Sequence, residues 1–75
     1  MEQVQTIQKR LRVNGSWMES SAATVVELLQ SLGIDPSRRG IAVAVNDAVV
    51  LRSEWATAPL HDGDRVEILR ATQGG

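Results

Sequence analysis

Residues 24–33 read TVVELLQSLG, and no other stretch constrains the chain as strongly. Val25, Leu28, Leu29 and Leu32 recur at i, i+3, i+4 and i+7, which draws one apolar stripe at helical period. Thr24 and Glu27 stand where a capping box needs them: the threonine hydroxyl accepts from the Glu27 N–H, and the glutamate reaches back. Gly33 supplies the left-handed residue that ends the helix. A helix with a single apolar stripe buries that stripe against another layer, so the rest of the chain must provide one.

The flanking segments have the period of strands. Ile7, Leu11 and Val13 fall on one side and Gln8, Arg10 and Arg12 on the other, with Lys9 interrupting the apolar side. Asn14-Gly15 predicts a type I′ hairpin turn, because both residues tolerate positive φ. Residues 16–19, SWME, are the return strand. After the helix, Asp35-Pro36 starts a loop. Residues 41–45, IAVAV, are large on one face and alanine on the other, which predicts an interior strand with something packed close against the alanines. Asn46-Asp47 turns the chain into a short fourth strand, 48–51. An irregular stretch with Trp55 and Leu60 as core plugs leads through Gly63 to a last strand, 65–69, where Val66 and Ile68 share a face. Val43, Val45, Val66 and Ile68 are expected in the core beneath the helix, with the last strand beside the central one.

Hairpin, helix, central strand, short strand, last strand and tail describe a two-layer α+β domain spanning 1–75. The ordering resembles the ubiquitin-like β-grasp: a mixed sheet of four to five strands, one main helix on one face, and a free C-terminal tail. Residues 1–6 are expected to be a disordered extension and 71–75 a flexible functional tail.

Composition removes several classes of function. A formal net charge of −1 gives no reason to expect nucleic acid or an anionic membrane as partner. The absence of cysteine excludes a disulfide scaffold, a thiolate metal site and a cysteine nucleophile, and suits a reducing cytoplasm. No apolar run approaches the roughly 20 residues that span a bilayer, and MEQVQTIQKR lacks the basic-then-apolar order of a signal peptide. A single histidine, His61, offers no soft-ligand cluster, so no bound metal and no intrinsic catalysis are expected. Asp62 and Asp64 flank Gly63 without the further ligands that calcium needs, and read as turn chemistry. Lys9, Arg10, Arg12, Arg38 and Arg39 read as solvated faces. One or both of Trp17 and Trp55 are expected to seal the small core, with docking as the alternative role for Trp17 on the hairpin.

The chain's last six residues, RATQGG, pose a chemical question. Two glycines are a poor way to finish a strand, and their bland reading is a frayed end. Their sharper reading is that the carboxylate of Gly75 is the working group. A Gly74-Gly75 tip has no Cβ, so it threads a narrow channel and leaves the terminal carbonyl carbon unhindered. A carboxylate is a poor electrophile when ionised, as it is above a pKa of roughly 3.5. ATP activates it by forming an acyl-adenylate, and a sulfur nucleophile then displaces AMP. Arg70, Ala71, Thr72, Gln73 and Gly74 form the segment that threads the enzyme, and the catalytic groups come from partners.

With VNG after the first strand, TVVELLQSLG for the helix, VAVN in the central strand, RSEW after the fourth and LHDGDRVEILRATQGG at the end, residues 11–75 closely resemble the ThiS family of sulfur carriers in thiamine thiazole biosynthesis. The resemblance implies adenylation of Gly75 by an E1-like (ThiF-type) enzyme and conversion to a thiocarboxylate with sulfur from a cysteine-derived persulfide. It also implies donation within a ThiG-type thiazole synthase, with 1-deoxy-D-xylulose 5-phosphate and dehydroglycine as the other components. ATP is then a substrate of the activating enzyme, and the carrier holds no cofactor of its own. Two departures stand out: roughly eight residues precede the usual family start, and Leu51 takes a place where the family often has proline.

A carrier for another pathway, molybdopterin or amino-acid synthesis, has the same chemistry with a different acceptor. The Pro-Pro step usual in the molybdopterin family's tail is absent here. A ubiquitin-like modifier or plain interaction module is the reading from another class. A docking surface is expected on the uncovered sheet face beside Arg70 to Gln73, with Leu51 and Leu69 as anchors.

Overall fold

In the computed structural model, residues 8–71 are described. They form β1 (Lys9–Val13), β2 (Ser16–Ser20), α1 (Val25–Ser31), β3 (Ile41–Val45), β4 (Ala48–Val50), a 3₁₀ turn (Arg52–Glu54) and β5 (Arg65–Arg70). One mixed sheet holds the strands in the order β2-β1-β5-β3-β4. β5, last in sequence, is therefore central, parallel to β1 and antiparallel to β3. This is the predicted α+β architecture. Ile7 and the expected extension 1–6 lie outside the described residues.

Both hairpins close as the sequence requires. Asn14 and Gly15 have φ of 49° and 86°, and Asn46 and Asp47 have φ of 52° and 71°. Two successive positive φ values make a type I′ turn, whose twist matches that of the strands it joins. The β1–β2 register sets Lys9, Leu11 and Val13 opposite Ser20, Met18 and Ser16 on one face, and Arg10 and Arg12 opposite Glu19 and Trp17 on the other. Lys9 holds its place on the apolar side by extending its ammonium to the Ala22 carbonyl at 3.0 Å, so its stem packs while its charge is satisfied.

Helix α1 is capped by Thr24, whose Oγ1 accepts from the Glu27 N–H at 3.3 Å, and Glu27 Oε1 accepts from the Ala23 N–H at 2.9 Å. At the other end Gly33 (φ 77°) closes a Schellman turn: the Gly33 N–H donates to the Gln30 carbonyl and the Ile34 N–H to the Leu29 carbonyl. That turn corrects the predicted stripe. Leu32 is 38% exposed, and Ile34, swung back by the left-handed glycine, is buried in its place. The helix presses Val25, Leu28 and Leu29 onto Leu11, Val43, Val66 and Ile68 of the sheet, with Trp55 and Leu60 closing the rim. Val45 is only partly buried at the edge of this cluster. Of the two tryptophans only Trp55 seals the core, its indole N–H donating to the Val50 carbonyl at 2.9 Å. Trp17 lies on the open face with the Arg10 guanidinium 5.0 Å from its ring centroid.

β3 brings a second correction. Val43 is buried, but Ala42 is exposed and Ala44 only half-buried. Among the described residues nothing covers the alanine side, because the single helix spans only the other face. β4 ends at Val50, one residue short of the predicted strand, because Leu51 starts the 3₁₀ turn.

Candidate functional site

β5 carries the chain toward its C-terminal end and runs one residue further than the sequence predicts, through Arg70. Ala71 continues the line: its N–H donates to the Gly40 carbonyl at 2.7 Å. Gly40 has φ of 80°, and a Cβ added there would stand 3.3 Å from the Ala71 Cβ. Glycine at 40 thus serves the root of the tail twice, in backbone conformation and in close approach. Arg70 and Ala71, the first two residues of the predicted threading segment, are anchored in the sheet. Thr72, Gln73, Gly74 and Gly75 lie outside the described residues.

The two hairpin asparagines reach β5 from opposite sides. Asn14 Oδ1 accepts from the Ile68 N–H at 2.7 Å, and Asn14 Nδ2 donates to the Ile68 carbonyl at 3.1 Å. Asn46 Oδ1 accepts from the Arg65 N–H at 2.9 Å, while Asn46 Nδ2 donates to Asp64 Oδ1 at 3.0 Å. Each side chain imitates a strand backbone where the real strand has turned away. Sequence reasoning used both residues as turn formers and missed this second role. The available signal was that asparagine, alone among turn residues, offers an amide with one donor and one acceptor side by side.

The open face is the other half of the site. The β3–β5 register sets Ala42 opposite Leu69 and Ala44 opposite Glu67, and the β3–β4 register sets Ala44 opposite Val49. Leu51 follows Val50, the last residue of β4, and begins the 3₁₀ turn. Leu69 (68% exposed), Leu51 (60%) and Val49 (74%) are all open to solvent. The structure exposes the two predicted anchors and adds Val49, which the sequence reading overlooked. Arg12 and Arg65 are neighbours on the same face, with Arg65 paired to Asp47 at 3.0 Å. The result is an apolar patch beside the exit of the tail with a charged rim.

On the helix side a groove beside the tail root is lined by Ile34, Asp35, Arg38, Arg39, Ile41 and Arg70. The Asp35 carboxylate is held below its ordinary pKa chiefly by the Ser37 hydroxyl at 2.7 Å, with help from the Ser37 N–H. Asp62 and Asp64 do turn work: Asp62 accepts from the Arg10 N–H, and Asp64 accepts from the His61 N–H and the Asn46 amide. His61 is exposed. No three potential metal ligands converge among the described residues, nor is any helix of the described chain long and apolar enough to cross a membrane.

Comparison with known proteins converges on one family. The model described as the ThiS family matches residues 3–75. The chain belongs to the ThiS family. The match starts within the first eight residues, so the ThiS pattern extends further toward the N-terminus than the sequence reading expected. The sulfur carrier protein ThiS of Thermus thermophilus is 35% identical over 63 residues, covering 84% of this chain and 95% of that protein. ThiS of Escherichia coli is 36% identical over 63 residues, covering 83% and 92%. A thiazole synthase of Paramagnetospirillum magneticum is 39% identical over 67 residues, which span 88% of this chain but 20% of that longer protein. The crystal structure of a thiamine biosynthesis protein (ThiS) from Geobacter metallireducens superposes with a TM-score of 0.71 at 32% identity, covering 88% of this chain and 99% of that one. The ubiquitin-like β-grasp of ThiS is thus the fold of this chain.

Proposed function

We propose that this ThiS-family chain is the sulfur carrier of thiazole synthesis in thiamine biosynthesis, and that the Gly75 carboxylate carries the sulfur. The observation that carries the reading is the family match running through Gly74 and Gly75. β5 is held by β3 as far as Ala71, so the tail starts from a fixed place.

The chemistry follows from a carboxylate that must become an electrophile. A Gly75 carboxylate oxygen attacks the α-phosphorus of ATP, and pyrophosphate leaves. The resulting acyl-adenylate is attacked at its carbonyl carbon by the outer sulfur of a persulfide, and AMP leaves; a partner thiol then attacks the S–S bond of the acyl disulfide, so that the thiocarboxylate leaves and a disulfide forms between the two partner sulfurs. The chain's own part is to present the carbonyl without steric hindrance, through Gly74 and Gly75, and to dock. A ThiF-type adenylating enzyme, a persulfide donor and a ThiG-type thiazole synthase supply the catalytic groups. Leu51, Val49 and Leu69 are the apolar anchors of the docking surface. Support for the acceptor comes from the thiazole synthase that contains a segment similar to this chain. ATP is consumed by the adenylating enzyme, and the carrier works in the cytoplasm.

The decisive experiment is ATP–pyrophosphate exchange with a ThiF-type enzyme. Deleting Gly75, or adding one residue after it, shifts the reacting carboxylate by about 3.3–3.6 Å. That equals the near-attack distance of roughly 3–3.5 Å, so exchange is abolished. Gly74→Val impairs it by crowding the threading path. Melting stability changes by no more than about 0.5 kcal/mol in any of these variants. Normal exchange by the deletion variant would overturn the carrier reading.

A further inference from the structure

The central strand is not flanked along its whole length. In a strand, successive residues point their N–H and C=O to opposite neighbours. The Asn46–Arg65 and Ala71–Gly40 bonds show that residues 65, 67, 69 and 71 of this line face β3. The alternate residues face β1: the Asp64 and Val66 carbonyls accept from the Arg12 and Asn14 N–H groups, each at 2.9 Å. Ile68 is next on that side, and its N–H and C=O are both taken by the Asn14 side chain. Arg70 follows. Its N–H and C=O point the same way, at a level where β1 has already turned off through Asn14-Gly15. Neither group has a hydrogen-bond partner among the described residues. At the turn itself, a Cβ added at Gly15 would meet nothing within 4 Å among the described residues.

We propose that this edge at Arg70 receives an extended backbone segment of the adenylating enzyme, which adds to the sheet as a short sixth strand. The proposal rests on the carrier reading and goes beyond it by naming the backbone groups that are gripped. Gly75 is the fourth residue after Ala71, within about 14 Å of it even at full extension, so an active site that acts on Gly75 brings its own surface close to Arg70. Covering that edge removes water from an N–H and a C=O. Leaving either unpaired costs about 1–3 kcal/mol, which a strand backbone avoids by offering one acceptor and one donor at the right spacing.

Asn14 gives the added strand its register. Its amide fills the last position on the β1 side, so an incoming segment cannot slide down past Ile68 and must begin at Arg70. A ladder advances two residues at a time along one edge. Pairing at Arg70 therefore fixes how far the chain beyond it enters the enzyme. A tail gripped only by side-chain contacts would lack that ruler.

Two measurements on the intact carrier with a ThiF-type enzyme test the proposal. In amide hydrogen exchange by NMR, the Ala71 N–H, already bonded to Gly40, is protected in the free carrier, whereas the Arg70 N–H exchanges freely. On complex formation the Arg70 N–H becomes protected by about tenfold or more, as for a newly made hydrogen bond. In ATP–pyrophosphate exchange, Arg70→Ala sets the reference because it keeps the N–H and loses the side chain. Arg70→Pro, which also lacks the N–H, falls about tenfold below it, as expected for loss of one buried bond. An Arg70 amide that exchanges equally fast in a complex competent for pyrophosphate exchange would overturn the proposal, whether or not the proline variant folds. Equal activity of folded Arg70→Pro and Arg70→Ala would do the same, since simple covering of the edge slows amide exchange without needing the bond. Absence of pyrophosphate exchange with the unaltered carrier would instead overturn the carrier reading, and the strand pairing with it.

Discussion

The two faces of the sheet are built from the same strands by opposite rules. On the helix side, Leu11, Val43, Val66 and Ile68 meet Val25, Leu28 and Leu29, and every large side chain in that set is buried. On the open side, Leu69, Val49 and Leu51 are exposed, and nothing covers them among the described residues. β5 contributes to both, alternating Val66 and Ile68 inward with Glu67 and Leu69 outward. The lesson is a division of labour within one strand. Burial energy on one face holds the strand still, and apolar surface left unspent on the other is available to a partner. Substitutions on the two faces should therefore register in different assays.

The largest loss of stability is expected at the centre of the covered face. Leu28 is fully buried beneath the sheet, and Leu28→Ala both forfeits transfer energy and leaves a cavity. The expected cost is about 2–5 kcal/mol, a large share of what a chain of this size has. Chemical denaturation checks it. At temperatures where the variant remains folded, activation by the adenylating enzyme should be close to that of the unaltered carrier. A variant that lost activation while fully folded would break the division between faces.

An intermediate loss is expected where the faces meet, at the Asn14 clamp. Asn14→Gly keeps the positive φ of the turn without strain. What it removes is the pair of bonds to Ile68, leaving a part-buried N–H and C=O without their partner. A cost of about 1–3 kcal/mol follows. Denaturation measures it, and NMR should show the Ile68 amide exchanging faster while the Ala71 amide, held by Gly40, does not. Equal acceleration at both would mean that the end of β5 loosens as a unit.

The sequence made the covered face legible because its signals are periodic. The capping box at Thr24, the stripe through Leu28 and Leu29, and the alternation of Val66 and Ile68 each report burial through spacing alone. The type I′ turn at Asn14-Gly15 was equally readable, since few residues accept two positive φ values in a row, whereas Asn46-Asp47 was read as a turn without its type. Periodicity failed at Leu32, where the Schellman turn breaks the helical phase and exchanges it for Ile34. It failed also at Ala42 and Ala44, because a small apolar residue fits a buried strand face and an open floor equally well. The Asn14 and Asn46 clamps were invisible for another reason: they join residues far apart in sequence, and a turn asparagine with a free amide spells the same letter as one with a bonded amide. Leu51 and Leu69 were proposed as apolar positions of the open face, but the pairing of Leu69 with Ala42 needed the strand register.

The smallest effect on stability is expected on the open face, and there the comparison is sharpest. Leu69→Thr removes an exposed isobutyl group and keeps a side chain suited to a strand. Its stability should change by no more than about 0.5 kcal/mol, as for a surface position. Docking is another matter. If Leu69 passes from 68% exposed to buried against the adenylating enzyme, the burial contributes about 1.5–3 kcal/mol. Its loss corresponds to a rise of roughly 10- to 100-fold in the carrier concentration needed for half-maximal pyrophosphate exchange. The maximal rate should hold, because the Gly75 carboxylate and its path are untouched once the carrier is bound. Leu51→Ser should behave alike, and the double variant should fall short of the sum, since the two side chains are proposed anchors of one docking patch. A fall in maximal rate with unchanged half-saturation would place Leu69 in the positioning of the tail rather than in docking, and the open face would then have a different task.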